Sequence, residues 1–115
     1  MNDYSSRSHL IFSIIVQTFN TNTNQRTTAK ISFVDLAGSE KVKKSNPTVE
    51  QLRETNSINQ SLSSLKEVIR VLAQGDPNQF VPYRNNMLTK LMRDSIGGPS
   101  KTLMFVNISP ADYNS

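Results

Sequence analysis

Cysteine is absent from these 115 residues, so no disulfide framework, thiolate metal site or thiol redox chemistry is available. That absence suits the cytosol or nucleus. Apolar residues are scarce too, at 36% against the roughly 45–50% usual for globular chains, which leaves only a modest core. The longest apolar run, "LIFSIIV", falls far short of the ~20 residues a membrane span requires. The opening "MNDYSSRSHL" also lacks the basic and apolar regions of a targeting leader. A soluble intracellular chain without membrane contact is expected. No repeat or long low-complexity tract interrupts a length suited to one domain. What the composition does supply is a net charge of +4, which points to an acidic partner without identifying it.

Along the chain, "HLIFSIIVQTF" (9–19) is rich in Ile, Phe and Val and predicts a buried strand. The polar "NTNTNQRTTA" (20–29) predicts an exposed connection, and "KISFVDLAG" (30–38) a second strand that pairs with the first as an antiparallel hairpin. Farther on, Ile58, Leu62, Leu65, Ile69 and Leu72 recur at spacings of four and three, one apolar face of a helix over about 48–74. Its start is either an Asn46–Pro47 cap or the end of a loop reaching Glu54, and Gly75 with Pro77 stops it. A second helix is expected over about 85–96, capped by Asn85 or Asn86, buried through Leu88, Leu91 and Met92 and ended by Gly97 and Gly98. "KTLMFVNIS" (101–109) reads as a last strand, halted by Pro110. The order strand, strand, helix, helix, strand makes an α/β arrangement.

Asp35 ends an apolar strand and Gly38 follows it closely. Ligands of open α/β sheets bind at that end of the strands. A carboxylate there can hold Mg²⁺ through water, and a glycine N–H can approach a terminal phosphate. An ordinary strand-ending turn uses the same residues. The stretch "NDYSSRSH" (2–9) adds the hydroxyls of Ser5 and Ser6, able to ligate Mg²⁺ and a γ-phosphate, and Arg7, able to pair with Glu40. Taken alone, it would be a polar tail. His9, the only histidine, reads as a strand-end residue rather than an acid or base.

The strings "NDYSSRSH", "DLAGSE", "NSINQSLSSL", "VPYRNNMLTKLMRDSIGG" and "KTLMFVNISP", in this order, resemble the motor domain of kinesins over nearly the whole chain. The endings "LMRDSIGG" and "KTLMFVNISP" look most like the C-terminal-motor, minus-end-directed, calmodulin-binding type. The resemblance implies a partial P-loop NTPase fold in the cytoplasm on the microtubule cytoskeleton, with ATP and Mg²⁺ as cofactors of an intact motor. It makes Asn2–His9 switch I and Asp35–Glu40 switch II. Ser6 is then the Mg²⁺ ligand, Ser5 a contact to the γ-phosphate or the attacking water, and Asn2 a further nucleotide contact. Asp35 holds Mg²⁺ through water, Gly38 senses the γ-phosphate, and Arg7 with Glu40 latches the two loops. The long helix resembles the relay helix. With Asn59 upon it, and with Lys41, Lys43, Lys44, Arg84 and Lys90, it implies a face toward tubulin. Most of the eight aromatics sit in predicted strands rather than among the lysines, so nucleic acid is not the expected acidic partner.

Departures from the family pattern stand at Gln60, Lys66 and Met87. The largest is that no Gly-x-x-x-x-Gly-Lys-Ser/Thr occurs, so nothing here cradles α- and β-phosphates. A C-terminal piece of a motor domain, lacking the phosphate-loop strand, is expected, with negligible nucleotide affinity by itself and strand edges open to self-association. The other reading is a non-catalytic microtubule-binding module derived from a motor.

Overall fold

The computed structural model describes residues 7–39 and 48–107. Two strands, β1 (Leu10–Asn20) and β2 (Gln25–Asp35), form the antiparallel hairpin, in a register that runs from Leu10↔Asp35 to Asn20↔Gln25. The turn is tighter than expected, and half of the polar connection is strand. Asn20 Oδ1 accepts from the N–H groups of Asn22 (3.0 Å) and Thr23 (3.2 Å), and Asn24 takes a left-handed φ of 54°. Those are the two things asparagine does well in turns. The β-branched Thr27 and Thr28 then continue β2.

Both strands are largely exposed, whereas the composition of the first predicted a buried one. One face carries Leu10, Phe12, Ile14 and Val16 against Ala29, Ile31 and Phe33, and Phe12 stacks on Phe33 with ring centroids 6.5 Å apart. Phe12 and Phe33 are nonetheless 57% and 59% exposed, because nothing among the described residues packs over them. The hairpin meets the helices only at its base, where Ile11, Val34 and Leu36 lie against a core of Leu65, Leu88 and Met92. A radius of gyration of 18.3 Å, against about 13 Å for a compact domain of this length, follows from that layout.

The long helix α1 covers Val49–Ala73. Its cap is Thr48, not Asn46. The Thr48 hydroxyl accepts from the Gln51 N–H at 3.3 Å and the Gln51 side chain accepts from the Thr48 N–H at 3.0 Å, a reciprocal capping box. Gly75, at φ +68°, lies just past the C-cap Gln74. The buried face runs through Ser61, Leu65, Val68 and Val71, so it is rotated from the predicted stripe and leaves Ile69 exposed.

The second helical region is shorter than 85–96. A 3₁₀ turn (Tyr83–Asn85) leads into α2 (Met87–Leu91), capped by Asn86, whose Oδ1 accepts from the Leu88 N–H at 2.9 Å. Leu88 and Met92 are buried as expected, whereas Leu91 is exposed. The Thr89 hydroxyl faces the carbonyls of Tyr83 (2.8 Å) and Asn86 (2.9 Å), and the Tyr83 hydroxyl donates to the Ile96 carbonyl at 2.6 Å, closing the region on itself. Residues 101–107 form no strand, contrary to the prediction. A strand needs a neighbour to satisfy its backbone, and none of the described residues flanks this one; Leu103 and Phe105 are exposed.

Candidate functional site

The pairing of Leu10 with Asp35 fixes where the chemistry gathers. Residues entering β1 and residues leaving β2 must converge at one end of the hairpin. Asp35 closes β2 with an exposed side chain that forms no ion pair among the described residues. Leu36 and Ala37 then turn inward, Ala37 being buried, and Gly38 follows half-buried. Arg7 and His9 approach from the other strand. Asn2, Ser5, Ser6, Glu40, Lys41, Lys43 and Lys44 lie outside the described residues.

Arg7 reaches Glu54 of α1, Nη1 to Oε2 3.8 Å, with both side chains about half-exposed. Such a pair contributes roughly 0–1 kcal/mol. His9 is held more firmly. Its Nδ1 accepts from the Ala37 N–H at 3.0 Å, and its Nε2 lies 2.6 Å from the Ser61 hydroxyl. Ser61 is buried and donates to the Ile58 carbonyl at 2.6 Å. Burial holds the His9 pKa below the ordinary histidine value of 6.5.

Beneath these contacts is an open cavity of about 660 Å³, bounded by Arg7, His9, Ser57, Ser61, Met87 and Leu91. The hairpin base, α1 and α2 meet around it. No group of three or more metal-ligating side chains occurs among the described residues, where Asp35 is the one carboxylate at the hairpin end.

Of the residues expected to face a track, Arg84 in the 3₁₀ turn and Lys90 on α2 are exposed, while Asn59 on α1 is half-buried. The parts of the site that motif reading missed are Glu54 and the His9–Ser61 contact. Ser61 carried a signal. It stands three residues after Ile58 and four before Leu65, a hydroxyl on the apolar face that must find partners if the face is buried.

The family profile for the kinesin motor domain matches residues 1–115. Kinesin-like protein KIN-14E of Arabidopsis thaliana is 56% identical over 114 residues, covering 99% of this chain and 9% of the relative. Kinesin-like protein KIN-14I of Oryza sativa subsp. japonica is 57% identical with the same coverage. The chain therefore spans about a tenth of the length of these curated relatives. Among solved structures, the motor domain of the Saccharomyces cerevisiae kinesin-like protein KAR3 superposes with a TM-score of 0.82 at 45% identity, over 99% of this chain and 34% of that one. A KIF14 structure with ADP, in complex with a microtubule, gives 0.80 at 41% identity, over 99% and 34%.

Proposed function

The chain belongs to the kinesin motor domain family, and from that premise we propose that it is the switch and track-binding portion of a microtubule motor that couples ATP hydrolysis to movement. The observation that carries this is the hairpin register. It brings Arg7 and His9, before the first strand, beside Asp35–Gly38 at one end of the sheet, next to the long helix. The division of the chain follows: residues 1–9 as switch I, 35–40 as switch II, about 48–74 as the relay helix, and the region around α2 as a second track-facing element. The solved complex of the KIF14 relative with a microtubule supports tubulin as the acidic partner, and the cytoplasmic cytoskeleton as its location.

For Mg²⁺ and ATP the donor set fits in part. A hard cation takes oxygen ligands. Asp35 offers an exposed carboxylate at the strand end, with Gly38 three residues on. Ser5 and Ser6, as hydroxyl donors, complete the γ-phosphate side in this proposal. The sequence contains nothing for the α- and β-phosphates. When bound, Mg²⁺ neutralises charge developing on the transferring phosphoryl group. The chain's own part is positioning. Asp35 would orient the cation's water shell, the Gly38 N–H would meet the terminal phosphate, Ser5 would contact the γ-phosphate or the attacking water, and Arg7 with Glu40 would latch the loops and exclude bulk water.

Lys41, Lys43, Lys44, Asn59, Arg84 and Lys90 form the proposed track face. In the whole protein, charge reversal at Lys44 and Arg84 is expected to weaken microtubule co-sedimentation and flatten its salt dependence. Unchanged binding sinks the assignment. The 115 residues alone are expected to hydrolyse no ATP, and microtubule-stimulated turnover by them would overturn that. A non-catalytic microtubule-binding module derived from a motor is the second reading, and microtubule-stimulated ATP turnover by the whole protein would exclude it.

A further inference from the structure

We propose that His9 is a positioning residue that links the backbone of the Asp35–Gly38 turn to the long helix α1, and so carries the state of the nucleotide to the track face. The claim rests on the motor reading above for its functional half and on geometry alone for its structural half.

The geometry fixes the proton. Nδ1 accepts from the Ala37 N–H, so the neutral ring carries its hydrogen on Nε2 and donates it to Ser61. Ser61 in turn donates to the Ile58 carbonyl. Three hydrogen bonds therefore run in one direction, from the turn after β2, through the residue entering β1, into α1. Ala37 and Ser61 are 5% and 6% exposed. Breaking one bond leaves a buried polar group without its partner. A protonated ring would set an N–H against the Ala37 N–H, and the burial that lowers the His9 pKa disfavours that form.

The alternative tether from this end of the hairpin to α1 is Arg7 with Glu54, which at 3.8 Å and half-exposed is the weaker one. Ala37 immediately precedes Gly38, whose amide is the proposed phosphate sensor. Any reorientation of that turn acts on the Ala37 peptide and hence on the imidazole. Because His9 is rigid and bonded at both nitrogens, a shift of the turn must be passed to Ser61 or must break a bond. That makes the contact a linkage between two sites rather than simple packing.

Two near-isosteric variants separate the halves of the link. His9→Asn keeps an acceptor near Nδ1 for Ala37 but cannot reach Ser61, whereas His9→Gln extends toward Ser61 and gives up the acceptor at Ala37. In the whole protein, the measurement is the ratio of microtubule affinities with a non-hydrolysable ATP analogue and with ADP. Each variant is expected to lower that ratio by at least about fivefold, the lower end of typical coupling strengths. Hydrogen exchange of the peptide covering Leu36–Ser39 is the second readout. It should rise in His9→Gln and stay near wild type in His9→Asn, whether or not the protein hydrolyses ATP. Wild-type ratios in both variants, or exchange at Ala37 indifferent to residue 9, would overturn the inference. Absence of microtubule-stimulated turnover in the unmutated whole protein would instead defeat the motor reading, leaving the exchange result to decide on the link.

Discussion

Ser61 puts a hydroxyl where the helix pattern asks for a hydrocarbon, and His9 explains why it is tolerated. Both polar groups of the contact are satisfied, so the buried pair costs little while intact. Removing one partner is the expensive change. Ser61→Ala leaves the Nε2–H without an acceptor and is expected to cost about 1–3 kcal/mol in chemical denaturation. A loss below a few tenths would mean that the ring finds another partner. The same contact sets a pH dependence. With its folded pKa below 6.5, His9 binds a proton more readily when unfolded. Its contribution is thus complete above 6.5 and declines as pH falls from there toward the folded value. Around the same cavity the charged groups are Arg7 and its partner Glu54, opposite in sign, and neither reverses this direction. Denaturation midpoints measured across that window should fall with acid in the wild type and fall less in His9→Gln.

Elements were legible where local chemistry decided them. The 3.6-residue spacing from Ile58 to Leu72 located α1 because a long amphipathic helix needs only its own periodicity. Its start stayed open between an Asn46–Pro47 cap and a loop to Glu54, because a Pro47 signal competed with the Thr48–Gln51 box. Asn20–Asn24 was read as loop composition, although asparagine supports a tight turn and threonine a strand. The candidate site divided the same way. Asp35 and Gly38 are candidates by their place at a strand end, whereas the His9 contact joins residues 52 apart in sequence, and no local pattern announces it. Segment 101–107 shows the limit most clearly, since apolar composition makes a strand only if another strand is there to pair with it.

Two substitutions test the helical region. Leu65→Ala opens a cavity in a core with few members and is expected to cost about 2–5 kcal/mol. Gly97 holds φ +85°, and a Cβ there would strike the Tyr83 hydroxyl and Leu72. Gly97→Ala should therefore cost more than about 1 kcal/mol, with loss of the Tyr83–Ile96 bond. Equal thermal midpoints for either variant and the wild type would contradict this packing.

The whole molecule is unbalanced, with a covered helical end and a bare sheet. Among the described residues, Leu10, Phe12, Ile14, Val16, Ile31 and Phe33 lie on one uncovered apolar face, the kind of patch that favours association. The chain spans 34% of the solved KAR3 motor domain. Isolated, the 115 residues are expected to self-associate with rising concentration in sedimentation velocity, and Ile14→Lys should reduce that. A wild-type chain that stays monomeric would show that the face is protected some other way.

The hairpin has a second end, and it is quiet. Strands of this length carry the Asn20–Asn24 turn about 34 Å from the residues that meet at Asp35. Among the described residues, the side-chain hydrogen bonds at that turn are those of its own Asn20. It is therefore the natural handle on the molecule. A dye at Thr23, or a short affinity tag spliced between Asn22 and Thr23, would report orientation or permit surface attachment at a place mechanically remote from the chemistry.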